Sequence, residues 1–172
     1  ASAYMSGHKT EVNALGVYAD RTEDPFDDPK VEVIAEALAR TGGKALGIVT
    51  TAELQDATPA SLVAHTRKRA EKAAIADMLF ERQPQVILGG GSAYMLPQST
   101  PGSKRKDDEN LIQKFQDQGY QLVTDAAGLK AAEGSNSGKL LGLFHTGNLD
   151  VALDRKFLKE GTVDKFPDQP GL

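Results

Sequence analysis

Short aliphatic runs alternate along this chain with longer amphipathic stretches, and this alternation restricts the fold more than any other feature. The aliphatic runs are bounded by glycine or by polar turns, which is typical of buried strands. They are Gly43–Val49, Gln85–Leu88, Tyr120–Val123 and Leu140–Phe144.

The stretches between these runs have the length and the apolar spacing of helices. They are Pro29–Arg40, Pro59–Arg82 and Asp107–Gln118. A repeated strand, helix, strand order favours parallel pairing. The sequence therefore predicts one α/β domain over residues 1–172, with a mainly parallel sheet flanked by helices.

Two charged segments rich in proline are predicted to be surface loops, Asp20–Pro29 and Pro97–Asn110. The first is acidic, but it lacks the twelve-residue spacing of a calcium-binding EF-hand loop, with its central glycine and terminal glutamate. We therefore expect Asp20–Pro29 to be solvated.

Charge and composition exclude several classes of protein. The net charge of -4 argues against a nucleic-acid binder, which needs a basic face. The absence of cysteine excludes disulfides and thiolate metal sites. No apolar run reaches the roughly 18 residues of a membrane span. A phosphorylated small molecule stays open as a ligand, since one cationic group can hold it.

Polar residues directly follow the first predicted strand, where ligands bind in open α/β sheets. Asp56 and Thr58 offer a carboxylate and a hydroxyl, which suit a hard cation such as Mg²⁺. Alternatively, Thr58 before Pro59 has the pattern of a helix N-cap followed by a proline at the first helical position. One hydroxyl can serve both purposes, so both interpretations stay open.

A basic cluster follows, in which Arg67, Lys68 and Arg69 either form a solvated helix face or supply a guanidinium for a phosphoryl group. In one straight helix from Pro59, the rise of about 1.5 Å per residue would place Arg69 roughly 15 Å from the strand end. Arg69 can join Asp56 only if the helix is short, so we predict a break near His65 and Thr66.

The run TTAELQDATPASLVAH resembles the metal-site segment of the bacterial alkaline phosphatases. The resemblance extends to SGHKT with ALGV near the start, to LGGG, to GYQLVTDAAGL and to LLGLF, so that it covers about Ala1 to Phe144. It implies that the predicted sheet is part of an alkaline phosphatase-like α/β sandwich.

The resemblance also implies a chemistry, the hydrolysis of phosphate monoesters by a serine, two zinc ions and a magnesium ion. By the match, Asp56 and Thr58 stand at the family's magnesium site. Arg69 stands where the family places the arginine that clamps two phosphate oxygens, and its catalytic role would be to stabilise charge on the transferring group.

Other parts of the family pattern have no counterpart in this chain. The family's serine would lie about four positions upstream of Ala1, and its zinc ligands would lie beyond Leu172. We therefore expect an incomplete central fragment of a larger phosphatase domain, inactive alone, from a periplasmic or extracellular and often dimeric family. The alternatives are a non-catalytic, flavodoxin-like α/β binding or interaction module, and a related phosphotransferase or sulfatase.

The other polar candidates favour structural roles. Ser2 and Ser6 are predicted to pack, and Gly89–Ser92 to form a turn at a strand end, since a P-loop lysine is missing. His145 follows the last predicted strand and is a candidate ligand, although a surface or capping role is more common for such a residue. His8 is a candidate for lining the pocket beside the missing serine.

Overall fold

The computed structural model describes residues 1–134, 138–158, 160–162 and 164–171. They form two compact units, Ala1–Leu46 with Gln55–Pro84, and Gly47–Leu54 with Gln85–Leu172. No helix among the described residues is long and apolar enough to cross a membrane.

The second unit contains a parallel sheet of four strands within the described part of the chain. The strands are β1 (Gly47–Glu53), β2 (Val86–Gly90), β3 (Gln121–Val123) and β4 (Leu140–Leu143), in the order β1-β2-β4-β3. Leu88 and Val123 of these strands form one buried apolar cluster with Phe144, which directly follows β4. The predicted parallel sheet flanked by helices is confirmed.

Two helices of this unit pack against β3, namely α5 (Leu111–Asp117) and α6 (Ala126–Ala132). Helix α5 buries Leu111 and Phe115, and the Phe115 ring meets Tyr120 edge-on. Burial raises the pKa of Tyr120 to about 12. The end of the unit includes a π-helical turn, Asp154–Leu158.

The first unit contains four helices in its described residues, α1 (Ser2–Ser6), α2 (Ile34–Gly42), α3 (Ala57–Ala60) and α4 (Lys72–Arg82). Two isolated antiparallel bridges, Leu15 to Thr66 and Val17 to Lys30, join its segments. In its core, Leu15 packs against Ile75 and the alanines Ala57, Ala60 and Ala64. Because alanine side chains are small, the backbones approach closely there.

The strand predictions hold for β2, β3 and β4 within two residues, but β1 was placed too early. It begins at Gly47 and runs through Thr50 and Thr51 to Glu53, which pairs with Gly90. Polar residues can continue this strand because three of its seven positions are exposed, and only Ile48 and Glu53 are buried.

The helix predictions need larger corrections. The predicted helix Pro29–Arg40 begins only at Ile34, because the Pro29 carbonyl accepts from the Tyr18 N–H while Glu36 caps the Val33 N–H. The helix ends at Gly42, two residues beyond the predicted end at Arg40. The predicted helix Pro59–Arg82 is wrong, because two helices, α3 and α4, form instead.

The third predicted helix, Asp107–Gln118, starts at Leu111, because the Asn110 side chain caps the Gln113 N–H. Helix α6 was not predicted. Both predicted loops, Asp20–Pro29 and Pro97–Asn110, contain no helix or strand. They are not wholly solvated, however, since Asp28 and Arg105 are buried.

Candidate functional site

Asp56 is the N-cap of the four-residue helix α3. Its backbone is extended, with φ -73° and ψ 158°, as an N-cap requires. Its carboxylate caps no N–H of the helix, because it forms an ion pair with the guanidinium of Arg69. The carboxylate is still 38% exposed, so it can bind another partner.

Thr58 lies inside α3 and is not its N-cap, which corrects one of the two interpretations of this residue. The Thr58 carbonyl accepts from the Ser61 hydroxyl, with 2.7 Å between the oxygens. The Thr58 side chain is exposed, and its own hydroxyl makes no hydrogen bond to any residue that the structure describes. A hydroxyl with both lone pairs available next to an N-cap carboxylate is suited to a hard cation.

The chain reverses after α3, and this reversal brings Arg69 back to Asp56. Helix α3 ends at Ala60 and α4 starts only at Lys72, so the predicted break is confirmed, although it begins earlier than His65. The intervening segment pairs with the start of the chain. Thr66 and Leu15 exchange both backbone hydrogen bonds, and the Arg69 N–H donates to the Asn13 carbonyl at 2.8 Å.

Gly16 permits this close pairing. Its φ is +59°, and a Cβ atom there would lie 2.5 Å from the Ala64 carbonyl oxygen and 2.9 Å from the His65 ring. The His65 Nδ1 in turn lies 2.7 Å from the Gly16 carbonyl oxygen. Sequence analysis did not identify this contact, because it joins residues far apart in the chain.

Of the three basic candidates, only Arg69 pairs with Asp56. The Arg67 guanidinium instead donates to oxygens of the loop Asp20–Pro29, including the buried Asp28 at 2.9 Å. Lys68 is exposed. Sequence analysis could not separate these neighbours by charge, since the choice depends on where the reversed segment points each side chain.

A cavity of about 310 Å³ lies beside Arg69. Ala57 and Arg69 line one part of it, and the segments Ala1–Ala3 and Lys9–Leu15 line the rest. His8, the candidate for lining a pocket beside the family's serine, does not line this cavity. Its Nδ1 lies 3.0 Å from the exposed Tyr18 hydroxyl.

The other polar candidates have structural contacts. The Ser2 hydroxyl donates to the Ala14 carbonyl, and the Ser6 hydroxyl to the Ser2 carbonyl. The Gly89–Ser92 segment ends β2 and starts a 3₁₀ turn. His145 is buried and not at the surface, but its ring does cap a backbone group, since its Nδ1 accepts from the Gly147 N–H while its Nε2 contacts the Thr162 hydroxyl.

The family model for alkaline phosphatase matches residues 1–168. The chain belongs to the alkaline phosphatase family. Among curated alkaline phosphatases, the one from Escherichia coli K12 is 37% identical to this chain and aligns with 96% of it. Alkaline phosphatase 4 from Bacillus subtilis is 34% identical over 90% of it.

Solved alkaline phosphatases share the fold. The enzyme from Thermus thermophilus matches 93% of this chain with a TM-score of 0.75 and 32% identity, over 30% of its own chain. A mutant of the TAB5 alkaline phosphatase, with Mg bound in its M3 site, matches 87% of this chain with a TM-score of 0.67 and 27% identity, over 38% of its own chain.

The chain spans about a third of the length of its curated relatives, 37% of the Escherichia coli protein and 30% of the Bacillus subtilis protein. The fold and the family are therefore shared over this part of the relatives only.

Proposed function

We propose that this chain is the central part of a phosphate monoester hydrolase, to which it contributes Asp56 and Thr58 as magnesium ligands and Arg69 as the phosphate-binding, catalytic arginine. One observation carries the proposal. The chain reversal between α3 and α4 brings the Arg69 guanidinium onto the Asp56 carboxylate at the edge of an open cavity.

The contact of Arg69 supports its role. A guanidinium matches the planar pair of oxygens of a carboxylate, and a phosphoryl group offers the same pattern of acceptors. Arg69 is 41% exposed on its side chain, so that it can reach a ligand in the cavity. Its backbone N–H is fixed by Asn13, which limits where the guanidinium can go.

The residues present fit the implied magnesium ion. Asp56 and Thr58 supply two hard oxygen ligands two residues apart, one ionisable and one neutral, and both are accessible to solvent. Mg²⁺ accepts such a partial set because it keeps several water ligands. When bound, it would assist removal of the proton from the attacking hydroxyl.

Ala1 and Arg69 line the same cavity. In the family that this chain resembles, the attacking serine precedes the position of Ala1 by about four residues. Four residues span at most about 14 Å, so a chain that continues upstream of Ala1 can bring that serine to the cavity beside Arg69.

The proposed zinc ions would need ligands from elsewhere. Both ring nitrogens of His65 and of His145 are within hydrogen-bond distance of polar atoms of the described residues, and His8 lies beside Tyr18. We therefore propose that this chain alone does not hydrolyse phosphate esters. Export to the periplasm or the extracellular space and a dimeric assembly, both typical of the family, belong to the same proposal.

Calorimetric titration of the full-length protein with inorganic phosphate tests this assignment. Arg69→Ala should weaken phosphate binding by about 10- to 100-fold, the equivalent of one charge-assisted pair. Lys68→Ala is the matched control, since it removes the same charge from the adjacent exposed position, and it should change the affinity by less than about twofold. Equal losses in the two variants would contradict the role of Arg69.

A further inference from the structure

The acidic loop Asp20–Pro29 brings three carboxylates together. Asp20, Asp27 and Asp28 each provide one oxygen, and these oxygens lie within 4.8 Å of one another. The loop closes on itself, because the Asp20 N–H donates to the Asp28 Oδ1 at 2.7 Å. The sequence did not indicate this arrangement, because its spacing differs from that of an EF-hand loop.

One carboxylate oxygen of this cluster is buried without a partner. The Asp28 side chain has no exposed surface. Its Oδ1 accepts from the Asp20 N–H and from Arg67, whereas its Oδ2 has no hydrogen-bond partner in the described part of the chain. Burial of a carboxylate oxygen without a donor or a cation is costly, so this atom indicates a missing ligand.

The cluster also contains more hydrogen-bond acceptor oxygens than donor hydrogens. The Thr22 hydroxyl, which has one hydrogen, lies 2.6 Å from the Asp20 Oδ1 and 2.6 Å from the Asp27 Oδ1. The Arg67 Nη1, which has two hydrogens, lies within 3.5 Å of four oxygens, which belong to Asp20, Thr22 and Asp28.

Charge is equally unbalanced. The Arg67 guanidinium pairs with two of the three carboxylates, those of Asp20 and Asp28. A divalent cation would balance the excess negative charge of the carboxylates. It would also bind between the oxygens that have no donor hydrogen between them.

We propose that Asp20, Asp27 and Asp28 bind one Ca²⁺ ion, with the Thr22 hydroxyl as a further oxygen ligand. All of these ligands are oxygens, which a hard cation requires. An irregular loop also suits Ca²⁺, which tolerates varied geometry.

Calorimetric titration of this chain with CaCl₂ at fixed ionic strength tests the site. The wild type should show one saturable binding event, and Asp27→Asn should weaken it at least about tenfold, because affinity depends on the number of charged ligands. Asp24→Asn is the matched control. It removes the same charge from the same loop, but the Asp24 carboxylate caps the Phe26 N–H and lies outside the cluster.

The control should bind Ca²⁺ within about twofold of the wild type. An absence of saturable binding at millimolar Ca²⁺, or equal losses in Asp27→Asn and Asp24→Asn, would overturn the proposal. Asp56→Asn separates this site from the proposed magnesium position. It should leave the Ca²⁺ event unchanged, and loss of the event in that variant would likewise overturn the proposal.

Discussion

At the scale of single residues, Thr58 shows how far a motif and its structure can differ. The pair of Thr58 and Pro59 has the pattern of an N-cap and a first helical residue, but the helix begins two residues before Pro59 and Asp56 occupies the cap. The sequence placed the correct residues at the start of a helix. It could not place the boundary, since Asp56, Thr58 and Ser61 are all acceptable capping residues.

Loss of the Thr58 hydroxyl should therefore affect the proposed binding of Mg²⁺ more than the stability of the fold. Thr58→Val should change the free energy of unfolding by less than about 0.5 kcal/mol, because the side chain is exposed and makes no hydrogen bond within the described residues. In the full-length protein it should nevertheless weaken the response of activity to Mg²⁺. Urea unfolding and a Mg²⁺ titration measure the two effects. A loss of about 1 kcal/mol without a change in the Mg²⁺ response would indicate a cap and contradict the ligand role.

Glu36 links three charged or polar groups of the first unit, since it accepts from the Val33 N–H and pairs with His65 and Arg82. Burial alone would raise its pKa. The hydrogen bonds from Val33 and His65, with the charges of His65 and Arg82, instead hold the pKa below its ordinary value.

This lowered pKa predicts a dependence of stability on pH. The unfolded chain takes up the proton first as the pH falls, so the stabilisation is present above the ordinary pKa of 4.5 and is lost as the pH falls through the folded value. Glu36→Gln should therefore lose less stability than the wild type between about pH 5 and pH 3. Chemical unfolding across this range measures the difference, and parallel curves would contradict the assignment.

At the scale of elements, the sequence predicted the inner strands well and the helices that depend on distant contacts poorly. Strands β2 and β4 are aliphatic and buried, so their composition identifies them. The region Pro59–Arg82 has helical spacing, but the pairing of Leu15 with Thr66 replaces the helix in its middle. That pairing crosses a large separation in sequence and leaves no local signal.

Gly16 makes this pairing possible, and two glycine variants test its importance. Gly7 and Gly16 both have positive φ, +73° and +59°, but a Cβ at Gly7 would meet nothing within 4 Å. Gly7→Ala should cost about 1 kcal/mol for the left-handed backbone alone. Gly16→Ala should cost at least about 2 kcal/mol more, since the Ala64 backbone must move. Urea unfolding compares the two, and equal costs would show that the close approach is unimportant.

At the scale of the whole molecule, the family was evident from the sequence, whereas the arrangement of its site was not. The run that includes Asp56 and Thr58 carried the resemblance, and the family model confirms membership over residues 1–168. The choice of Arg69 over Arg67 depends on the folded segment, in which Arg67 binds the acidic loop.

The chain as a whole is predicted to lack turnover. With Mg²⁺ and Zn²⁺ added, it should release p-nitrophenol from p-nitrophenyl phosphate no faster than buffer does, because we propose that the family's serine and zinc ligands come from outside this part of the protein. A continuous absorbance assay measures this. Metal-dependent turnover that disappears in Arg69→Ala would contradict the prediction and place a complete active site in this chain.

The most direct test of the proposed function is the kcat/KM of the full-length protein for p-nitrophenyl phosphate, measured for the wild type, Arg69→Ala and Lys68→Ala. The proposed function predicts metal-dependent hydrolysis by the wild type. It predicts that kcat/KM falls by about 10²-fold or more in Arg69→Ala, because removing one donor to a transition-state oxyanion has an effect of this size. In Lys68→Ala, kcat/KM should stay nearly unchanged. An inactive wild type would contradict the phosphatase function, and equal rates in the two variants would contradict the role of Arg69.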